Sequence, residues 1–265
     1  MFSIDQFAYS NRLRSSHPGE KFAFAILTMA ICLVSASAVT ALAIIFLMAG
    51  AVVLRAGVPL RFYLKLMSLP LSFLLVGVAT IAVSISTHPG GAVHGITIAG
   101  LTVGFTARDL GVAANQFCKS LGAVSCLYFL SLTTPMVEII SVLKKIRVPA
   151  LFIELMGLIY RFIFVTMETA EKIYTAQSSR RGYASLRTSY FSLGLLASNL
   201  FIKSYHRSQT LFTALMSRCY TGDLNVIEPR YAVSKENIII IVVIDLTLAA
   251  LALYTGGGFI GGIHP

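Results

Sequence analysis

A run of 33 residues, from Phe22 to Leu54, contains no charged side chain. One crossing of a lipid bilayer needs about 20 apolar residues, so the run is longer than one crossing but too short for two full-length crossings. Small residues at 35–38, Ser-Ala-Ser-Ala, interrupt the bulky apolar side chains. The run therefore predicts a pair of short membrane helices, at about 22–36 and 39–54.

The composition of the whole chain fits an integral membrane protein better than a soluble enzyme. Of the 265 residues, 56% are apolar and 12% are charged, whereas soluble domains carry about 25% charged residues. Further apolar segments predict membrane helices at about 66–87, 108–134 and 237–256. The predicted fold is all-α, with about five transmembrane helices and a module of long amphipathic helices before the last of them.

The distribution of lysine and arginine predicts how the chain is oriented in the membrane. Residues 136–235 hold 13 of the 21 basic residues, and most of the others precede residue 66. Because basic loops remain in the cytoplasm, the N-terminus and residues 136–235 are predicted to be cytoplasmic. The predicted parts are a four-span membrane domain at 1–135, a cytoplasmic module at 136–235, and a last span with a short tail at 236–265.

Several functions are disfavoured by what the sequence contains. The net charge of +10 comes largely from basic residues beside membrane spans, which predicts contact with the lipid bilayer and no nucleic-acid partner. The sequence has no GxxxxGK[ST] phosphate-binding loop, so this chain is not expected to hydrolyse ATP itself. An HExxH zinc motif is also missing, and an intramembrane enzyme is therefore a weaker hypothesis.

Two long helices are predicted within the cytoplasmic module, because apolar residues recur there at every third or fourth position. Both end in the same pattern, Ala-x-x-Ser-Arg, at 176–180 and at 214–218, and a tyrosine follows each end. Arginine in a last turn interacts favourably with the helix dipole, by ~0.3–1 kcal/mol, which would explain one such end. Two similar ends favour a repeated contact with a partner that offers two equivalent binding sites.

The same region resembles a known family of membrane proteins. The segments "LTTP" at 132–135, "KKIRVP" at 144–149 and "IYRF" at 159–162, together with the two arginine-containing ends, resemble the T component of energy-coupling-factor (ECF) transporters. The T component is the transmembrane coupling subunit of these transporters, and the resemblance is strongest to its cobalt-type form, CbiQ. It extends over essentially the whole chain and is most specific at 131–222.

The resemblance implies an ATPase-docking role for the two helix ends. In the ECF family, two long cytoplasmic helices end in Ala-Arg-Gly signatures that dock into grooves on a pair of ABC-type ATPases. Arg181 and Arg218 take the place of the signature arginines, and Arg180 takes the place of the first alanine. The implied docking residues are Arg180, Arg181, Gly182, Tyr183, Ser217, Arg218, Cys219 and Tyr220.

The resemblance also implies the function and the partners. It predicts a non-enzymatic coupling subunit of an ATP-driven uptake transporter in the inner membrane of a bacterial or archaeal cell. Cobalt ions are the expected substrate, and nickel or a vitamin is left open. Its partners would be two ABC-type ATPase subunits, which bind the ATP, and a separate substrate-binding membrane subunit. No cofactor and no metal site is expected in this chain.

Charged residues in or near the predicted spans support an alternative function. Asp109, Lys119 and Asp245 are candidates for an ion relay, because ionisable groups within a membrane are usually functional. They would make the chain a self-contained, ion-coupled secondary transporter. We favour a structural role, in which Lys119 and Asp245 meet between helices and Asp109 pairs near the membrane surface.

Two histidines share the predicted outer loop. His88 and His94 could contact a passing metal ion, but no cysteine or carboxylate lies beside them in the sequence. Since a metal site needs several ligands, we expect an ordinary solvated loop at this position.

Overall fold

The computed structural model describes residues 3–35, 37–82, 84–86, 94–98, 101–105, 107–220 and 234–256. Helices dominate this part of the chain, and they are α1 (Ser3–Ser10), α2 (Pro18–Val34), α3 (Ala38–Gly50), α4 (Leu60–Ala82), α5 (Ala107–Thr133), α6 (Met136–Lys145), α7 (Ala150–Ser179), α8 (Leu186–Met216) and α9 (Lys235–Gly256). A short 3-10 helix at Arg12–Ser15 precedes α2, and a π-helical turn at Ala51–Arg55 extends α3. The predicted all-α membrane fold is confirmed.

Four of the described helices are long and apolar enough to cross a membrane, or five if α5 and α6 together form one broken span. The segment Ala150–Ser179 is among the four, although the sequence predicts that it is cytoplasmic. Helix α2 has only 17 residues, which is short for a full crossing. The chain is thus a multi-pass membrane protein, and the cytoplasmic position of 136–235 stays a prediction.

The predicted break within the charge-free run is confirmed. Helix α2 ends at Val34 and α3 begins at Ala38. The Ser37 hydroxyl accepts a hydrogen bond from the Val39 N–H at 3.2 Å, which satisfies one of the unpaired donors at the start of α3. The small polar residues therefore end one helix and cap the next.

A small sheet replaces part of a predicted helix. Strands β1 (Ser84–Ser86), β2 (His94–Ile98) and β3 (Leu101–Phe105) form an antiparallel sheet in the order β1-β3-β2. The prediction of a helix up to residue 87 was therefore wrong, because α4 ends at Ala82. Consecutive β-branched residues, as in Ile96-Thr97-Ile98, favour the extended conformation here.

The chain divides into two compact units, the first comprising Met1–Ile139 with Arg230–Pro265. In the first unit α5 packs against α2, α3 and α4, around buried side chains such as Ile44, Met48 and Leu132. A Cβ added at Gly122 of α5 would lie 2.7 Å from the Cys32 sulfur of α2. Glycine thus allows the two helices to approach closely, as small residues do in membrane helix pairs.

The second unit, Ile140–Pro229, contains most of α6 and the long helices α7 and α8. No residue of α7 is buried, and Ser192 is the buried residue of α8. Large apolar side chains are exposed along both helices, for example Phe152, Ile159 and Phe201. Soluble monomers rarely expose so much apolar surface, so this unit is expected to contact other molecules.

Candidate functional site: the two ends of a helical hairpin

Helices α7 and α8 run antiparallel and form a hairpin. Near one end, the Tyr220 hydroxyl after α8 donates to Glu154 Oε2 in the first turns of α7 at 2.6 Å. Near the other end, the Gln177 side-chain amide donates to the Ser192 carbonyl at 3.0 Å. Helix α7 has 30 residues, so at 1.5 Å per residue its end and the end of α8 lie roughly 45 Å apart along the hairpin.

The first candidate end follows α7. The Gly182 N–H donates to the Gln177 carbonyl at 2.8 Å, and Arg181 has a left-handed backbone with φ +59°. This combination is the Schellman motif, in which a left-handed residue ends a helix and satisfies its last carbonyl groups. A Cβ at Gly182 would lie 2.7 Å from the Ser192 hydroxyl oxygen and 2.9 Å from the Gln177 carbonyl oxygen. Glycine is needed at 182 for space.

The second candidate end follows α8 and has the same backbone form. The Tyr220 N–H donates to the Leu215 carbonyl at 3.1 Å, and Cys219 is left-handed with φ +56°. The side chains repeat as well, because both ends have the sequence Thr-Ala-x-x-Ser-Arg. Ser179 Oγ donates to the Thr175 carbonyl at 2.9 Å, and Ser217 Oγ donates to the Thr213 carbonyl at 2.6 Å.

The two backbones define which residues are equivalent. The left-handed residues are Arg181 and Cys219, and therefore Arg180 corresponds to Arg218. The resemblance had instead aligned Arg181 with Arg218. In the register of the structure, Ser179-Arg180-Arg181 matches Ser217-Arg218-Cys219. Ser179 was missed by the sequence comparison, since two adjacent arginines allowed two alignments.

The left-handed ending by itself is not specific. Helix α6 also ends with a left-handed residue, Arg147 with φ +64°, and such endings occur in roughly a third to a half of helices. The Thr-Ala-x-x-Ser-Arg sequence, by contrast, is shared only by the ends of α7 and α8 among the three helices. The side-chain repeat therefore distinguishes these two ends.

The arginine and tyrosine side chains at the two ends differ in their surroundings. Arg180, Arg181 and Arg218 are exposed, and the part of the chain that the structure describes provides no hydrogen bond or ion pair to their guanidinium groups. Tyr183 is half-buried, and its hydroxyl donates to Gln177 Oε1 at 2.7 Å. The arginines are thus available to a partner, whereas Tyr183 stabilises the turn. The docking role of all eight predicted residues stays a prediction.

A buried polar cluster in the first unit was not predicted from the sequence. Lys21 Nζ lies 3.6 Å from Glu138 Oε2, and the two side chains are 5% and 8% exposed. The same ammonium group donates to the carbonyls of Leu13 and Thr133, both at 3.1 Å. Lys21 therefore caps the end of α5 and pairs with the first turn of α6. The only sequence signal for this pair is that Lys21 and Glu138 each lie next to an apolar segment.

The charged residues of the predicted spans do not form the expected pair. Asp245 is 9% exposed, and its Oδ1 accepts a hydrogen bond from the Thr28 hydroxyl at 3.0 Å. No ion pair joins Lys119 to Asp245 in the described residues. The interpretation that these two residues meet was wrong, because the Asp245 carboxylate accepts a hydrogen bond from Thr28 of α2 instead. The side chain of Asp109 lies outside the described part.

The predicted outer-loop histidines are not available for comparison with the structure. His88 lies outside the described residues, and of His94 only the backbone, in β2, is described. Among the described residues no group of three or more His, Cys, Asp or Glu side chains could hold a metal ion.

The fold and the repeated helix ends define a class: a multi-pass α-helical membrane protein with an exposed two-helix module. Residues 10–228 match the family model described as CbiQ, cobalt transport protein. The chain therefore belongs to the CbiQ family of cobalt transport proteins, and the resemblance to the cobalt-type T component is confirmed.

Similar proteins cover most of the chain. The chain is 32% identical over 226 residues to the cobalt transport protein CbiQ of Salmonella typhimurium. The aligned residues are 85% of this chain and 100% of the relative. An uncharacterised protein of Methanocaldococcus jannaschii is 32% identical over 252 residues, 95% of this chain and 93% of the relative. A fused cobalt transport protein CbiMQ of Methanocorpusculum labreanum is 34% identical over 219 residues, 83% of this chain and 36% of the relative.

Proposed function

We propose that this chain is the membrane coupling subunit of an ATP-driven, ECF-type uptake transporter for cobalt ions. In this role the two ends of the α7–α8 hairpin contact two ABC-type ATPase subunits, which bind and hydrolyse the ATP. The membrane helices transmit the movement of the ATPases to a separate substrate-binding membrane subunit. The chain itself carries no catalytic residue and no cofactor in this role.

The repeated helix end is the observation that carries the proposal. The ends of α7 and α8 share a sequence, a set of backbone hydrogen bonds and a left-handed residue, and they lie at opposite ends of one hairpin. Two such ends suit a pair of related binding sites on two copies of one partner. Exposed arginines fit this task, because a guanidinium group can bind a carboxylate through two hydrogen bonds.

Two further observations support the partners. The long helices α7 and α8 bury a single residue, Ser192, so their apolar side chains remain available for a protein or lipid surface. The fused relative CbiMQ joins a CbiQ-like part to a further part in one cobalt transport protein. A second subunit beside this chain is consistent with that fusion.

Purification from membranes tests the proposed function. The tagged chain, extracted in mild detergent, should retain an ATPase in two copies and a small membrane subunit, and the complex should take up cobalt into liposomes only with ATP. Nickel in place of cobalt, in the same assay, tests the substrate. If the chain purifies alone and an ion gradient drives cobalt uptake without ATP, the secondary-transporter alternative is correct instead.

A further inference from the structure

A cavity of about 540 Å³ lies within the first unit, between α2, the end of α3, α5 and α9. Its volume is in the range of about 300–1,000 Å³ that is usual for small-molecule sites. Most of its wall is apolar, and the side chains that form this wall include Phe24, Leu47, Phe129, Ile240, Ile241 and Ile244. An apolar wall of this size suits a hydrocarbon chain.

Among the residues that the structure describes, the polar side chains of the cavity leave one positive charge without a partner. Glu20 Oε1 accepts from the Ser234 N–H at 3.0 Å, and its Oε2 accepts from the Asn237 amide at 3.3 Å. Lys21 is paired with Glu138. Arg55, in contrast, is exposed and has no hydrogen bond or ion pair with any described residue. The cavity therefore combines an apolar interior with a cationic rim.

The fold holds Arg55 in place at the rim. Arg55 ends the π-helical turn, and the Ala56 N–H donates to the Ala51 carbonyl at 3.0 Å. The N-terminal segment fastens this turn, because the Arg12 N–H donates to the Ala56 carbonyl at 3.2 Å. The Arg12 side chain also lies against Gly57, which follows Arg55 by two positions in the sequence. Arg12 is exposed and thus adds a second positive charge near Arg55.

We propose that this cavity binds an anionic phospholipid of the cytoplasmic leaflet. An acyl chain would lie against the apolar wall, and the phosphate would contact Arg55. The residues at this rim, Lys21 and Arg55, belong to the side of the membrane that the basic residues predict to be cytoplasmic. Basic pockets between membrane helices on that side recognise anionic lipid headgroups. This site is independent of the proposed ATPase contact.

The headgroup contact is tested by native mass spectrometry of the full chain in detergent. Phosphatidylglycerol and phosphatidylcholine are titrated separately, and the bound fraction gives each affinity. The intact chain should bind one phosphatidylglycerol more tightly than phosphatidylcholine. Arg55→Gln should lower the phosphatidylglycerol affinity about fivefold, because one cation near the membrane surface contributes on the order of 1 kcal/mol. Lys65→Gln, an exposed cation outside the cavity, should leave it unchanged.

The acyl-chain contact is tested by filling the cavity. Gly50 lines the cavity, has a helical backbone with φ −59°, and a Cβ added there meets nothing within 4 Å. Gly50→Leu should therefore fold normally and weaken the binding of both lipids. Gly77→Leu is the matched control, because its added Cβ is equally unobstructed and Gly77 lies outside the cavity.

Two results would overturn the lipid site. One is equal phosphatidylglycerol binding by the intact chain, Arg55→Gln and Gly50→Leu, with all three showing the same melting temperature. The other is efficient photo-cross-linking of a benzophenone side chain, introduced at position 51, to another subunit in the purified complex, which would mean that a protein segment covers the cavity. Loss of ATPase docking alone would leave the lipid site unaffected, so the two proposals can fail separately.

Discussion

Two lysine–glutamate pairs connect helical residues in opposite surroundings. Lys21 and Glu138 lie in the first unit, called the membrane unit below, and are 3.6 Å apart with side chains 5% and 8% exposed. Lys172 and Glu168, on α7, are 2.6 Å apart with side chains 74% and 64% exposed. Breaking the shorter contact should nevertheless cost less stability, because water screens an exposed pair, whereas a buried charge that loses its partner is left uncompensated.

This contrast extends to the two units as wholes. The first unit buries charged groups that are satisfied internally, as the Lys21 ammonium group is by the Thr133 carbonyl at the end of α5. The second unit, which contains the α7–α8 hairpin, leaves its arginines and much of its apolar surface exposed. Substitutions in the first unit should thus change folding, whereas substitutions at the hairpin ends should change binding to partners.

The largest expected effect is at the buried pair. Lys21→Ala leaves Glu138 buried without its cation and should destabilise the membrane unit by ~3–5 kcal/mol. The yield and the melting temperature of detergent-solubilised protein should both fall strongly. Lys172→Ala, at the exposed pair, is the matched control and should leave the melting temperature unchanged.

A double substitution sharpens this prediction. Lys21→Met with Glu138→Leu removes both charges and should be less destabilising than Lys21→Ala alone, since no buried charge is left unpaired. A double variant as unstable as the single variant would indicate that the hydrogen bonds from Lys21 to the Leu13 and Thr133 carbonyls, and not the ion pair, carry the stability.

A smaller effect is expected at the turn between α7 and α8. Gly182→Ala places a Cβ 2.9 Å from the Gln177 carbonyl oxygen, and such overpacking typically costs ~1–3 kcal/mol. Hydrogen exchange of the amides near this turn should become faster. Gly194→Ala on α8 is the control, because its added Cβ meets nothing within 4 Å. This variant should slow exchange slightly, since alanine is more stable than glycine within a helix. Equal exchange in both variants would contradict the close packing at Gly182.

The smallest effect is a gain in local stability. Arg181 and Cys219 are left-handed without being glycine, a conformation that costs roughly 1–2 kcal/mol. Arg181→Gly and Cys219→Gly should therefore each stabilise their helix end by ~1 kcal/mol, measured as slower exchange in the last turn. Lys203→Gly, an exposed residue in the interior of α8, should instead destabilise by about 1 kcal/mol. The same sign at all three positions would contradict the assigned backbone.

The membrane helices could be predicted because their signal is local. Uninterrupted apolar runs located them, and small or helix-breaking residues such as Ser35 and Pro135 located their ends. The sheet at β1–β3 was missed because its strands are short. The Lys21–Glu138 pair was missed because its members are far apart in the sequence, and nothing local indicates that they meet.

The candidate site was predictable in its residue types and not in its register. The repeated serine and arginine, and the tyrosine after each end, identified both ends. Two adjacent arginines at 180 and 181 gave two alignments with the second end, and the sequence resemblance selected Arg181. In the structure the left-handed residues are Arg181 and Cys219, and this aligns Arg180 with Arg218. Neither arginine nor cysteine is a residue type that indicates a left-handed backbone, so the sequence could not show the register.

Retention of the ATPase on washed membranes tests the central claim most directly. A buried interface arginine typically costs ~2–5 kcal/mol when truncated, so Arg180→Ala with Arg218→Ala should release the ATPase while the chain remains in the membrane. Arg181→Gly with Cys219→Gly keeps both equivalent arginines and should retain it. Full retention in the Arg180→Ala, Arg218→Ala variant would contradict docking through Arg180 and Arg218, whereas release by Arg181→Gly with Cys219→Gly would assign the contact to the residues at 181 and 219.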